Sequence, residues 1–361
     1  MIWLWIAFLV LILTLLALDL GVFNRGAHVI SAKSAMKWVC AFVALGAIFN
    51  VGVYFLYKHD VQGIGTRFVE LMMSAADNPT PEKVGWTAAM QFLAGWLTEY
   101  SLSIDNLFVI ALVFSYFKVP AKYQHRVLFW GILGALIARG IMIFAGTALV
   151  QRFEWLIYIL GAFLIYTGIK MALAKENDDR DFEKMFIVRI ARKLFPITKD
   201  FDGQNFWTRL PATGALAATP LFLVLLIVEA TDVVFAVDSI PAIIGITRDP
   251  FIVFTSNVFA ILGLRSLYFA LASLMDKFHY LKYSLAAILV FVGVKMVLEG
   301  VDELRPLAER AFGSLPGWLA WLPKESVHFS TPVSLGFIVL SLVLGVVASL
   351  LYAKSHTHTP A

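Results

Sequence analysis

The sequence has one cysteine, Cys40, and none of its seven histidines lies inside a predicted span. A lone cysteine excludes an intrachain disulfide, and Cys40, set in an apolar run, reads as a small buried hydrophobe. Charge is scarce as well: 15% of residues are charged against 60% hydrophobic, with a mean hydropathy of +0.80. That balance excludes an ordinary soluble domain. No G-x-x-x-x-G-K-[ST] occurs, so the chain carries no recognisable nucleotide engine and reads as a membrane protein without enzymatic activity or organic cofactor. The apolar stretch Met1–Leu18 lacks both a basic leading region and a small-residue cleavage site, and is expected to be a retained helix rather than a signal peptide. The net charge of +4 does not indicate a nucleic-acid partner, because a basic excess in such chains belongs to loops held on the cytoplasmic side.

What is present is a series of long apolar runs, and the class they predict is an all-α polytopic membrane protein with about nine transmembrane helices. They fall near Met1–Leu18, Lys37–Tyr57, Ala88–Phe117, Val127–Val150, Trp155–Ala174, Leu221–Ile243, Phe251–Ser273, Leu281–Leu298 and Val333–Tyr352. Between them, Lys58–Gly85 is a polar connector broken at Asn78-Pro79-Thr80-Pro81. Lys175–Pro211 is the longest polar segment, and its MFIVRIARKLF has the helical periodicity and basic face of a surface helix. The tail SHTHTPA, with His356 and His358, reads as a disordered end.

Two of the runs carry acids. The third, around TEYSLSIDNLFV, holds Glu99, Asp105 and Asn106, with Ser101 and Ser103 beside them; the sixth holds Glu229, Thr231, Asp232, Asp238 and Ser239. A charge near the bilayer centre costs on the order of 3 kcal/mol on insertion scales, so such acids are functional candidates by default. Asp232 to Asp238 repeats the i, i+6 spacing of Glu99 to Asp105. Further landmarks repeat in order: Asp105-Asn106 with Asp238-Ser239, Arg139 with Arg265, and GIKM at Gly168–Met171 with GVKM at Gly293–Met296. Each unit holds three spans, and an odd number implies opposite insertion, the inverted-repeat plan whose sites lie near the midplane between the copies. The chain then divides into 1–85 (two spans and an external loop), 86–175 (repeat one), 176–212 (charged cytoplasmic loop), 213–300 (repeat two) and 301–361 (external loop, last span and tail). With the N-terminus external and the C-terminus cytoplasmic, every basic connector faces the cytoplasm, as expected in a cell (inner) membrane.

The polar groups of these spans, Asn257 included, supply oxygen donors and no imidazole or thiolate, which suits Mg2+, Ca2+ or Mn2+ and not Zn2+ or Cu+. A second reading stays open, in which Arg139 and Arg265 neutralise acids in structural ion pairs. On a regular helix, i and i+6 point about 120° apart, so Glu99 and Asp105 face one ion only if the helix unwinds or if they serve different stations. Pro241 offers a break in the sixth run. Asp19, at the end of the first run, has an equal claim to the site or to the interface.

The segments ALDLGVFNR, EYSLSIDNLFV, VEATDVVFAVDSIPAI and SNVFAILGLRSLYF resemble those of the TerC/Alx family of integral membrane proteins, within the lysine-exporter-type transporter superfamily. That family is associated with Mn2+ export and with tellurium resistance. The resemblance implies a metal-site role for Glu99, Asp105, Asn106, Glu229, Asp232, Asp238 and Ser239, with Mn2+ as transported substrate. Export of a divalent ion against the membrane potential needs coupling, and H+ is the natural partner because protonating a carboxylate removes the charge that holds the metal. Two other classes stay open: an exporter of another small, amino acid-like solute, and a non-transporting membrane protein that assists secreted or partner proteins. Oligomeric state is not legible.

Overall fold

A computed structural model describes residues 2–21, 32–73, 78–153, 155–173, 185–210, 214–271, 280–299, 301, 327 and 329–356. Twelve helices are described: α1 (Ile2–Gly21), α2 (Ala32–Lys58), α3 (Ile64–Met72), α4 (Pro81–Tyr116), α5 (Ala121–Arg152), α6 (Leu156–Leu173), α7 (Phe186–Leu194), α8 (Pro220–Ile244), α9 (Pro250–Leu262), α10 (Leu264–Leu271), α11 (Leu281–Glu299) and α12 (Thr331–His356). Each apolar run read as a span falls on helix. Among the described residues, seven helical segments are long and apolar enough to cross a membrane. The apolar part of α1 is shorter, and α11 carries Lys282, Lys295 and Glu299 within its 19 residues.

Several starts follow from local chemistry. Thr80 accepts the Lys83 N–H through its side chain and Pro81 opens α4, while Asp249 accepts the N–H groups of Phe251 and Ile252 ahead of Pro250 in α9. Burial raises the Asp249 carboxyl above its usual pKa, and those two N–H groups act in the opposite direction. Pro241 does not break α8, which continues to Ile244. The break lies in the next run instead, where Gly263 divides α9 from α10.

The bundle is apolar outside and polar inside. On α5, Ile141 is 66% exposed while Arg139 is 2% exposed. Side chains that face lipid need no polarity, whereas every buried polar group needs a partner. The same logic corrects the reading of Cys40, which is exposed on α2: an apolar run meant for lipid does not imply burial in protein. The span of α9 and α10 is the innermost, with every residue of its apolar window buried.

α4 packs on α2 and α9, α5 on α8, and α6 on α11. The α6–α11 contact is antiparallel and rests on glycines. A Cβ at Gly161 would meet the Gly293 carbonyl and one at Gly293 would meet the Gly161 carbonyl, so the two backbones touch. A Cβ at Gly293 also meets Ile165, and one at Gly168 meets the Ala286 carbonyl and Val290.

The charged segment between α6 and α8 folds more fully than its composition suggested. α7 forms where the basic amphipathic stretch was read, but Val188 and Ala191 are buried against the protein. A two-stranded antiparallel hairpin, β1 (Trp207–Arg209) with β2 (Leu216–Ala218), follows it and adds strand to a chain read as all-α. Arg126 stacks over Phe206, 5.0 Å from the ring centroid, tying this segment to the start of α5.

A β-branched side chain has no room where two backbones touch. Gly293→Val is expected to destabilise the protein by about 2 kcal/mol in detergent melts, whereas Gly336→Ala, whose added Cβ meets nothing within 4 Å, should be neutral.

Candidate functional site

The site is assembled at the level of Arg139, near the middle of α5. Its small neighbours are what allow this. Gly131 meets Val228, and a side chain at Gly134 would collide with the Glu229 carboxylate, so α5 and α8 approach closely. Across that contact the Arg139 guanidinium is bidentate on Asp232, with Nε 3.0 Å from Oδ2 and Nη2 2.9 Å from Oδ1. Its Nη1 donates to Glu99 Oε1 of α4 and lies 3.5 Å from Ser239 Oγ. Asn106 Nδ2 donates to Asp232 Oδ1 at 2.7 Å, and Ser103 Oγ lies 3.5 Å from Glu99 Oε1.

One arginine thus joins three helices through two acids, and all three charged side chains are buried. A second set of oxygens stays open: Glu99 Oε2, Asn106 Oδ1, Ser101 Oγ, Thr98 Oγ1 and both polar atoms of Asn257 are buried with no hydrogen-bond partner. Buried polar atoms in that state are candidates for a ligand.

Glu99, Arg139, Asp238 and Ser239 line a small cavity whose walls are completed by Leu102, Met171 and Phe235. Asp238 has no hydrogen-bond or ion-pair partner among the described residues, and Lys170 of α6 acts on it through space. Glu229 lies on the other side of Asp232 along α8. The three acids of α8 lie on one continuous helix but point in different directions, Asp232 and Asp238 about 120° apart and Glu229 and Asp238 on opposite sides.

Of the sequence candidates, the structure brings Glu99, Asn106, Asp232, Asp238 and Ser239 to one place, with Glu229 beside it. The side chains of Asp105 and Asp19 lie outside the described ones. Among the described residues no three acids, histidines or cysteines stand close enough together to hold a metal, because Arg139 occupies the space between Glu99 and Asp232. The ion-pair reading thus holds for Arg139. Arg265 places Nη1 3.1 Å from His125 Nε2. Nor does a helix unwind at the acids: α4 is continuous through Glu99 and Asn106, so acids from different helices provide the convergence.

Sequence reasoning missed the broad cleft of about 880 Å3 bounded by the ends of α3, α8 and α11 and the starts of α4 and α12, where Gln91, Lys83, Arg248 and Lys295 stand among Met72, Met90 and Met296. These helix ends are distant in sequence. Their connectors were all assigned to one side, and that shared side was the available signal. Lys295 pairs with Glu299 at 3.8 Å, one turn on.

Removing one member of a buried cluster leaves the others uncompensated. Asp232→Ala takes three hydrogen bonds from Arg139 and Asn106 and is expected to destabilise the protein by about 3 kcal/mol, against a smaller effect for Glu229→Gln, as read by thermal melts in detergent.

The model of the "Integral membrane protein TerC family" matches residues 84–357. An uncharacterised membrane protein of Myxococcus xanthus is 48% identical over 303 residues, covering 84% of this chain and 86% of its own length. The "Putative membrane-bound redox modulator Alx" of Escherichia coli K12 is 46% identical over 296 residues, covering 82% of this chain and 85% of its own. The chloroplast "Thylakoid membrane protein TERC" of Arabidopsis thaliana is 46% identical over 268 residues, or 74% of this chain and 63% of its own length. No solved structure matches. With acids, arginine and glycines packed inside the matched region, the chain belongs to the TerC family of integral membrane proteins.

Proposed function

We propose that this protein is a secondary transporter that exports a divalent metal cation, Mn2+ first among the candidates, from the cytoplasm through the carboxylates of α4 and α8, in exchange for H+. The observation that carries the reading is that Glu99 and Asp232, at equivalent positions of the two repeats, already hold a cation between them in the apolar interior, the Arg139 guanidinium. A place that stabilises one buried positive charge with oxygen donors can stabilise another. The unpartnered oxygens of Glu99, Asn106 and Ser101 add the hard donors that Mn2+, Mg2+ or Ca2+ prefer.

The inverted repeat belongs to the same reading, and the packing supports it. Gly168 and Gly293 are equivalent in the GIKM and GVKM segments, and Gly161 and Ala286 each lie seven residues earlier. The contact of Gly293 with Gly161 and Ile165 is therefore the mate of Gly168 with Ala286 and Val290. The cross-pairing of α5 with α8 and of α4 with α9 has the same two-fold form, as does the close approach of Gly131 to Val228 and of Gly95 to Ser256. Two equivalent halves packed about an axis in the membrane plane can rock to open either side in turn.

Energetics favour coupling. Moving two charges out of a negative interior costs about 2.3 kcal/mol per charge per 100 mV, and protons returning to the same acids offset it. The word "redox" in the Escherichia coli relative's name finds no dithiol here, since Cys40 is alone.

Three measurements test this. Cells without the protein should accumulate Mn2+, and proteoliposomes should exchange Mn2+ for H+. Glu99→Gln and Asp232→Asn should each abolish flux in folded protein, while Lys170→Ala stays mild. A reporter after Lys354 should be cytoplasmic and one between Pro79 and Glu82 external. Unchanged cellular Mn2+ with another solute building up overturns the substrate, and reporters on one side overturn the inverted repeat.

A further inference from the structure

Three features of the acid cluster are not explained by carboxylates that simply bind and release a cation. Arg139 covers the edge of Asp232 that faces α5 and one oxygen of Glu99, so these two acids already share one positive charge. An arginine cannot give up its charge by deprotonation, so it can vacate the acids only by moving. Finally, Asp238 lines the same small cavity as Arg139 yet has no ion-pair partner among the described residues, and Ser239 Oγ lies between the two environments, 3.5 Å from Nη1.

We propose that Arg139 is a built-in counter-cation, which holds Glu99 and Asp232 while no cargo is bound and passes to Asp238 when a divalent cation takes those two acids. The proposal rests on the transport reading above. Its logic is a charge count. Two buried carboxylates without a cation would carry two uncompensated charges in a medium where each costs several kcal/mol. A divalent ion added beside the guanidinium would place three positive charges against two negative ones at contact distance. Exchanging the guanidinium for the divalent ion balances the acids, and the displaced guanidinium meets an acid that lacked a partner. The loaded state is then neutral, and the empty state, with one guanidinium against three carboxylates, takes up H+ in place of the cargo.

Two properties follow. Arg139 competes with the cargo, so it lowers resting affinity and assists release. It also sets a threshold: replacing a guanidinium by Na+ gains no charge at Glu99 and Asp232, whereas replacing it by a divalent ion gains one. Arg139 thereby governs whether the acids are open to a cation at all, while the ratio of the two affinities belongs to the acids.

The test is a double-mutant cycle on detergent-purified, full-length protein titrated with MnCl2, with Mn2+ flux into proteoliposomes alongside. Arg139→Gln should bind Mn2+ about tenfold more tightly than wild type, admit Na+ at concentrations that leave the wild-type acids paired with Arg139, and transport more slowly. Asp238→Asn should weaken Mn2+ binding about tenfold in the wild-type background and leave it unchanged in the Arg139→Gln background, because its role is to receive the arginine. Equal weakening in both backgrounds would make Asp238 a direct ligand and overturn the proposal, as would Arg139→Gln protein that binds no more tightly. Wild-type protein that binds and transports no divalent cation overturns the transport reading itself. Should Arg139→Gln fail to fold, infrared difference spectra of wild-type protein with 15N-guanidino-labelled arginine decide the matter. Mn2+ should shift an arginine band in wild type and not in Asp238→Asn, and a wild type without that shift sinks the idea.

Discussion

A guanidinium cannot shed its charge in an apolar bundle, and the organisation of this protein follows from where Arg139 places it. Neither α4 nor α8 supplies enough partners alone. Asp232 matches the planar fork bidentately and Glu99 takes the remaining Nη1, so three helices are fixed to one another by a single side chain. The requirement propagates outward. α8 reaches Arg139 only because Gly131 and Gly134 carry no side chains on that face of α5, and the room at Gly134 is filled by the Glu229 carboxylate. Breaking such a cluster costs more than its net contribution to stability, so it specifies one packing of α4, α5 and α8 above its alternatives.

Around this cluster the apolar surface is turned outward. Ile137, Ile141 and Phe144 of α5 are exposed, whereas α9 is enclosed and carries Asn257, Ser256 and Thr255 into the interior. Thr255 and Ser256 return their hydroxyls to carbonyls of their own helix, but Asn257 does not, and it stays unpartnered like Thr98 and Ser101 of α4. Such atoms are tolerated where water or an ion visits. Their presence on the two helices that pack together beside Glu99 gives the interior a polar seam, between walls that are otherwise sealed by aliphatic side chains.

Much of this was legible in the sequence, for definable reasons. Span positions follow from hydropathy because the backbone has no alternative to helix in hydrocarbon. The acids stood out because an intramembrane charge is rare. Three things were hidden. That Arg139 would bridge Glu99 and Asp232 depends on helix rotation, which spacing alone does not give. The pairing of β1 with β2 is held by the burial of Ala217 and Ala218 of β2 and by Thr219 Oγ1 donating to the Asn205 carbonyl, among residues with no strong strand signal. The continuity of α8 through Pro241 shows the limit of a breaker rule: within a packed bundle neighbours hold a helix straight that would kink alone.

The bulk of the cluster's surroundings also bears on what it can carry. An amino acid-like solute brings a carboxylate and an amine, and needs a cation as well as an anion to receive it, with space for the carbon skeleton between. Here the central cation is consumed by two acids, and the space beside it is bounded closely by Leu102, Met171 and Phe235. What remains available is negative charge and oxygen: Asp238, which has no hydrogen-bond or ion-pair partner among the described residues, Glu99 Oε2 and Asn106 Oδ1, which have no hydrogen bond among them, and Glu229 one turn from Asp232 on α8. A compact positive charge satisfies those groups with no added volume. On the proposed transport reading, an excess of acids over arginines that is costly to bury becomes favourable once a second, mobile positive charge belongs to the cycle, and the cluster then serves as one half of a charge exchange while it also fixes three helices to one another.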